Sequence, residues 1–245
     1  MLLSSLAAAL LLAPTFVSAI DQIEARNMAI HDLLESNTTA LLVVDMQNDF
    51  CHESGVNRAV MKWPDVCSTA VQPIASLVES ARQVDIPVIW INADYHPDNV
   101  NSAFDAKLRQ RGEAGRPAVS EWGKAIIDEL NPASSVFEER GTNEIVISKP
   151  SFDAFTDTPL KEELQRRNIE TVVVTGVATS ICVESTVRSA LFEGFHVVVV
   201  KDGVGDLPER TVSSLDRVQL LFGHVTSALN IIGSWLPPAA EKLII

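Results

Sequence analysis

Short, wholly apolar runs alternate along this chain with longer segments that are apolar on one side only. Ala40 to Val44 is a continuous run of the kind buried on both faces in a parallel sheet. Val66 to Val84 repeats instead at helical spacing, with Val71, Ile74, Ala75, Val78 and Ala81 on one face. Further strands are predicted over Pro87 to Ala93, Glu144 to Ser148, Thr171 to Thr175 and His196 to Lys201, with a short edge strand over Val225 to Ser227. Helices are predicted over Glu121 to Leu130, Pro159 to Arg167, Cys182 to Glu193, Pro208 to Leu221 and Ala228 to Leu236. Pro159 suits a helix start, and Gly194 suits a helix stop. Asn99 to Pro117 is polar and rich in Arg and Gly, and reads as a long loop or lid with no more than a helical turn.

Strands alternating with helices imply right-handed βαβ units. The predicted fold is α/β: a three-layer αβα sandwich around a mostly parallel, Rossmann-like sheet of about six strands. In such sheets ligands bind outside the carboxyl ends of the strands. That rule selects Asp45 to Phe50, Asp94 to Pro97, Lys149 to Phe155, Gly176 to Cys182 and Asp202 to Asp206.

Composition narrows the function. The 245 residues, 47% hydrophobic and 21% charged, suffice for one domain with a sizeable core. A net charge of −13 argues against nucleic acid or an anionic membrane as partner. Residues 1–19 read as a secretory signal, with an apolar core over Leu6 to Ala13 and a small-x-small pattern at Val17-Ser18-Ala19, although no Lys or Arg precedes the core. The expected organisation is signal 1–19, N-terminal extension 20–38, one folded domain over 39–236 and C-terminal tail 237–245, giving a secreted protein with no membrane contact after cleavage. Asn37-Thr38-Thr39 is a glycosylation sequon. Of three cysteines, Cys51 and Cys67 are candidates to pair, and Cys182 is left over.

Cys182 sits where the β-branched run Thr171 to Thr175 stops at Gly176 and a polar turn opens a helix. Unpaired N–H groups in a helix's first turn favour thiolate and stabilise an oxyanion, so a lowered thiol pKa is expected. Asp45 and Lys149 each end another apolar run. Asp, Lys and Cys at one sheet edge suit nucleophilic catalysis: the lysine holds the aspartate, and the aspartate takes the thiol proton and returns it to a leaving amine.

The stretches Leu41-Leu42-Val43-Val44-Asp45-Met46-Gln47-Asn48-Asp49-Phe50, Lys149-Pro150-Ser151-Phe152-Asp153-Ala154-Phe155 and Thr175-Gly176-Val177-Ala178-Thr179-Ser180-Ile181-Cys182 resemble, in this order, the isochorismatase-like cysteine hydrolases. That superfamily includes isochorismatases, nicotinamidases, and N-carbamoyl and ureidoacrylate amidohydrolases. The resemblance implies a catalytic triad of Asp45, Lys149 and Cys182. It also implies a cis peptide between Val177 and Ala178, with Ala178 and Cys182 as oxyanion donors. Gln47, Phe50, Tyr95 and Phe155 are expected around the substrate pocket. Asp94-Tyr95-His96-Pro97 is similar to a metal-ligating segment of nicotinamidases, so Asp94 and His96 are weak candidates for a metal site. No histidine lies between His96 and Lys149 to complete it, and no cofactor is expected. Asp94 and His96 are then expected to shape the pocket entrance. The four tryptophans, Trp63, Trp90, Trp122 and Trp235, read as packing residues.

The implied function is cleavage of a small amide, ureido or carbamoyl C–N bond through a cysteine thioester. The partner is a small-molecule substrate, and homo-oligomer formation is left open. The alternatives are vinyl ether hydrolysis by an isochorismatase and a secreted binding protein that uses the fold without turnover.

Overall fold

A computed structural model describes residues 30–110, 112–130, 132 and 143–236. The signal, most of the N-terminal extension and the tail over 237–245 lie outside the described residues. Within them, no helix is long and apolar enough to cross a membrane.

Among the described residues the sheet has six parallel strands: β1 (Thr39–Val44), β2 (Val88–Ala93), β3 (Glu144–Lys149), β4 (Thr171–Val177), β5 (His196–Gly205) and β6 (His224–Thr226). Their order is β3-β2-β1-β4-β5-β6. The chain steps outward one way from β1 to β3, then returns to the other side of β1 with β4. The switch point, where a doubly wound sheet opens its ligand crevice, therefore lies between the ends of β1 and β4.

Continuous apolar runs are needed because both faces are covered. Leu41 and Val43 point into one layer, against helices α2 (Ser68–Gln83) and α8 (Ala228–Trp235). Leu42 and Val44 point into the other, against α5 (Leu160–Arg166) and α6 (Glu184–Phe192). The remaining helices are α1 (Asn48–Cys51), α3 (Ser102–Arg109), α4 (Glu121–Lys124) and α7 (Pro208–Arg217). Ile30 and Leu34 are buried in the α2 layer, so the end of the N-terminal extension belongs to the core.

Three elements differ from the sequence expectation. The polar stretch over 99–117 contains the eight-residue helix α3. Asn101 caps it by accepting from the Phe104 N–H at 2.9 Å, and Arg109 pairs with Asp105 one turn away. The segment Glu121 to Leu130 is helical only over α4, then pairs Ile126 with Gln47 and ends in a 3-10 turn over Asp128–Leu130. The run after α7 closes as a π-helical turn over Val218–Phe222. At the switch point the strands approach closely. Gly176 has φ +107, and a Cβ there would lie 2.0 Å from the Val44 carbonyl oxygen, so only glycine fits.

Candidate active site

Asp45 follows β1 directly and adopts φ 53, a left-handed conformation that aspartate tolerates better than most residues. Lys149 is the last residue of β3, two strands away. Its side chain is fully buried, and Nζ lies 2.9 Å from Asp45 Oδ2, itself 2% exposed. Lys149 Nζ also donates to the Ser151 carbonyl at 2.8 Å and to Tyr95 Oη at 3.3 Å. Neither Asp45 oxygen has an aligned hydrogen bond, so the contact is an ion pair with lone pairs to spare. Such a carboxylate can accept a proton.

Cys182 reaches the same spot from β4. The peptide between Val177 and Ala178 is cis, and Thr179–Val183 forms a π-helical turn before α6 begins at Glu184. Asp206, at the end of β5, clamps that turn: its Oδ2 accepts from the Ser180 N–H at 3.0 Å and from Ser180 Oγ at 2.6 Å. Cys182 is 7% exposed, with Sγ 3.8 Å from Tyr95 Oη. Tyr95 thus joins the thiol to the lysine, a bridging role its sequence position did not suggest. Phe50, Phe104 and Phe152 hold its ring edge-on at 6.4, 5.2 and 6.3 Å. Arg116, paired with Asp105 of α3, donates to the Tyr95 carbonyl. The stretch expected to be a lid therefore buttresses Tyr95.

The electrostatics correct one expectation. Burial, reinforced by the Asp45 charge, pushes the Cys182 thiol up to about 12, although Lys149 opposes the shift. A helix start lowers the pKa of an exposed thiol; here desolvation wins. Burial also raises the Asp45 carboxyl above its ordinary value, and the Lys149 charge offsets this only in part. Burial lowers the Lys149 ammonium, but the charges of Asp45 and Cys182 overcome it and raise it on balance. The site thus sets a thiol beside a carboxyl group of enhanced basicity, held in place by Lys149. Removing the carboxylate should then bring the thiol down. Asp45→Asn is expected to shift the pH profile of Cys182 alkylation by iodoacetamide to lower pH. Rates read by intact mass across pH 6 to 11 check this, and an unchanged profile would show that Asp45 does not set the thiol's state.

A cavity of about 320 Å3 opens onto Asp45 and Cys182. Phe50, Tyr95, Val177 and Ala178 line it, together with Phe152 and Ile181. One further wall comes from the loop over 52–66, through Asn57, Trp63, Pro64 and Val66. A disulfide between Cys51 and Cys67, with a Cα–Cα distance of 5.4 Å, closes that loop at its base. Trp63 is thus a wall of the cavity rather than only a packing residue. Asn57 carries no signal in the sequence beyond lying between the two cysteines.

Other expected site residues lie elsewhere. Phe155 is 8% exposed and packs in the α5–α6 layer against Phe195, with ring centroids 5.8 Å apart, so it does not line the cavity. Gln47 is fully buried behind the wall, bonding both the N–H and the carbonyl of Ala93 and the Lys124 carbonyl. Asp94 faces Lys124, and His96 is exposed beside Asp98; neither lines the cavity. Among the described residues no cluster of three or more His, Cys, Asp or Glu side chains is arranged to hold a metal ion. Glu184 faces away from the thiol and pairs with Arg188, Arg217 and Ser214. Burial opposes its ionisation, yet these donors hold its carboxyl down at about 2, so it fastens α6 to α7.

Residues 39–229 match the isochorismatase domain family, and the chain belongs to that family of hydrolases. A ureidoacrylate amidohydrolase RutB from Methylorubrum extorquens is 31% identical over 209 residues, covering 78% of this chain and 80% of the relative. A RutB from Cronobacter turicensis is 28% identical, covering 84% and 91%. Among solved structures, N-carbamoylsarcosine amidase from Thermoplasma acidophilum superimposes with a TM-score of 0.62 at 27% identity, covering 78% of this chain and 96% of that one. A cysteine hydrolase from Pseudomonas syringae pv. phaseolicola shares the fold with a TM-score of 0.68 at 23% identity, covering 82% and 93%.

Proposed function

We propose that this protein hydrolyses an amide, ureido or carbamoyl C–N bond through a thioester on Cys182. The observation that carries the reading is the buried Asp45–Lys149 pair, whose Asp45 lines the same cavity as the one free thiol among the described residues. The activities named for the relatives, ureidoacrylate amidohydrolase and N-carbamoylsarcosine amidase, support the same bond type.

In this mechanism Asp45 takes the thiol proton as sulfur attacks the substrate carbonyl, so a thiol held at about 12 ionises only as the bond forms. Lys149 keeps the carboxylate in place and stabilises its negative charge. Backbone N–H groups of Ala178 and Cys182 receive the oxyanion. The C–N bond then breaks and Asp45 passes its proton to the departing nitrogen. Water, deprotonated by Asp45, next attacks the thioester carbonyl; the C–S bond breaks and the proton returns to sulfur.

A second reading has its own support. A carboxyl raised by burial also suits protonation of a vinyl ether, the chemistry of an isochorismatase that makes no use of sulfur. A hydrolysis screen over ureidoacrylate, N-carbamoyl amino acids, biuret, nicotinamide and isochorismate separates the two. Release of amine or ammonia is expected, and cleavage of isochorismate alone would overturn the amide reading.

Export belongs to the same proposal. Supporting it are the signal-like first 19 residues, the Cys51–Cys67 disulfide and the exposed Asn37 in its sequon. Protein recovered from the culture medium should have an intact mass that begins near Ile20. Full-length chain retained in the cell would sink this part.

A further inference from the structure

The cavity can be read for what it would accept, taking the C–N hydrolase proposal as its basis. Its walls beside Cys182 are aromatic or aliphatic: Phe50, Trp63, Pro64, Phe152, Ile181 and Leu207. At about 320 Å3 it has roughly twice the volume of an apolar cavity that takes up benzene, about 150 Å3. A small, polar, chain-like ureide would leave these walls uncovered. A ring joined to an amide would fill them.

The polar lining is almost fully committed. Asp45 is held by Lys149, and Tyr95 bridges Lys149 and Cys182. Asp206 accepts from Ser180 and from the Leu207 N–H, and Arg210 is exposed at the mouth. Apart from the catalytic Asp45 carboxylate, whose lone pairs the proposed chemistry uses, Asn57 is the exception. It is 6% exposed, lines the cavity, and its Oδ1 is buried with no hydrogen-bond partner among the described residues. Buried amide oxygens are nearly always paired, so an orphan in a residue that lines a cavity marks where a ligand donor belongs.

Asn57 is also held firmly. The Trp63 N–H donates to its carbonyl at 2.9 Å, and the Val56 N–H to Asp49 at 3.3 Å. Arg58 pairs with Asp65 at 3.0 Å, and the disulfide ties the loop's ends. A rigid loop can position a hydrogen bond; a mobile one would lose it to chain entropy.

We propose that the cavity selects a carboxamide or ureide bearing a ring-sized apolar group and an N–H, and that Asn57 is a specificity-determining residue that accepts from that N–H. The test uses chloroacetamides, because alkylation reads recognition without turnover: the Cys182 sulfur forms a bond to the methylene carbon, chloride leaves, and the thiol proton passes to Asp45 or solvent. Rates for 2-chloroacetamide, N-benzyl-2-chloroacetamide and N-benzyl-N-methyl-2-chloroacetamide are measured by intact mass and normalised to their rates with glutathione.

The N-benzyl probe should react about tenfold faster than the parent or better, the effect expected from burying one ring. Its N-methyl analogue, which lacks the donor, should lose most of that gain. Asn57→Leu should slow the N-benzyl probe toward the N-methyl rate, whereas Asn57→Asp, which keeps an acceptor there, should retain most of the N-benzyl gain; circular dichroism and the thermal transition show that both variants are folded. Equal normalised rates for all three probes, or an N-methyl probe as fast as its N–H parent, would overturn the inference. If the selectivity is present but no amide is hydrolysed by the wild type, the hydrolase reading fails and the ligand class stands. Hydrolysis without the selectivity leaves the hydrolase standing and overturns the ligand class.

Discussion

Cys182→Ser is expected to cut amide turnover on the order of a thousandfold or more, because a hydroxyl activated only by a carboxylate is a far weaker nucleophile than sulfur. The cut should fall on kcat more than on KM, since the cavity walls that bind substrate are untouched. Folding should be little affected: serine is smaller than cysteine, and the position borders a cavity. Asp45→Asn should be comparably damaging, since one carboxylate serves both half-reactions. It should also move the pH profile of thiol alkylation to lower pH, as the Asp45 charge helps hold that thiol at about 12. Loss of hydrolysis with a shifted alkylation profile, in a variant whose thermal transition and circular dichroism show it folded, ties both effects to the carboxylate. If the reaction is instead protonation of a vinyl ether, Asp45→Asn stays severe and Cys182→Ser becomes mild. Near-normal turnover by the serine variant on an amide would therefore overturn the thioester, while leaving the family assignment intact.

Much of this arrangement is legible in the amino-acid sequence, and the parts that are not share a physical reason. Asp45, Lys149 and Cys182 each follow an apolar run that forms a strand, so one rule about parallel sheets sends all three to the same edge. What happens there depends on burial, which sequence position does not report. A helix start alone implies a lowered thiol pKa; full desolvation next to a carboxylate reverses the sign. Phe155 belongs to the same motif as Lys149, yet Phe152 lines the cavity while Phe155, three residues on, turns into the core against Phe195. Helix α3 is hidden in the sequence because its apolar face is only Phe104 and Leu108, one turn apart in an otherwise polar stretch, supported by the Asn101 cap and an ion pair. Asn57 has no legible signal at all. It matters only because the Cys51–Cys67 disulfide and the Asp49 and Asp65 contacts fold a polar loop back onto the cavity.

Lys149→Met carries the largest expected effect on stability. Lysine and methionine are similar in length, so packing is nearly conserved, and the change isolates the charge. It strands the Asp45 carboxylate in a fully buried place, and breaking one side of a buried pair typically costs about 3–5 kcal/mol. The pH dependence follows from the sign of the linkage. Without Lys149, the folded-state pKa of Asp45 rises further above its unfolded value, so the native state binds the proton more tightly than the unfolded state does. Stability then falls as pH rises past the unfolded pKa, and the deficit should be larger at pH 8 than at pH 5. Chemical denaturation of both proteins at the two pH values measures it. Adding Asp45→Asn to Lys149→Met removes the stranded charge, and should recover most of the lost stability with none of the lost activity. The double-mutant cycle thus separates what the pair does for the fold from what Asp45 does for chemistry. A Lys149→Met protein as stable as wild type at pH 8 would mean that Asp45 is already neutral in the resting enzyme. It would then be poised to donate a proton rather than to take one from the thiol.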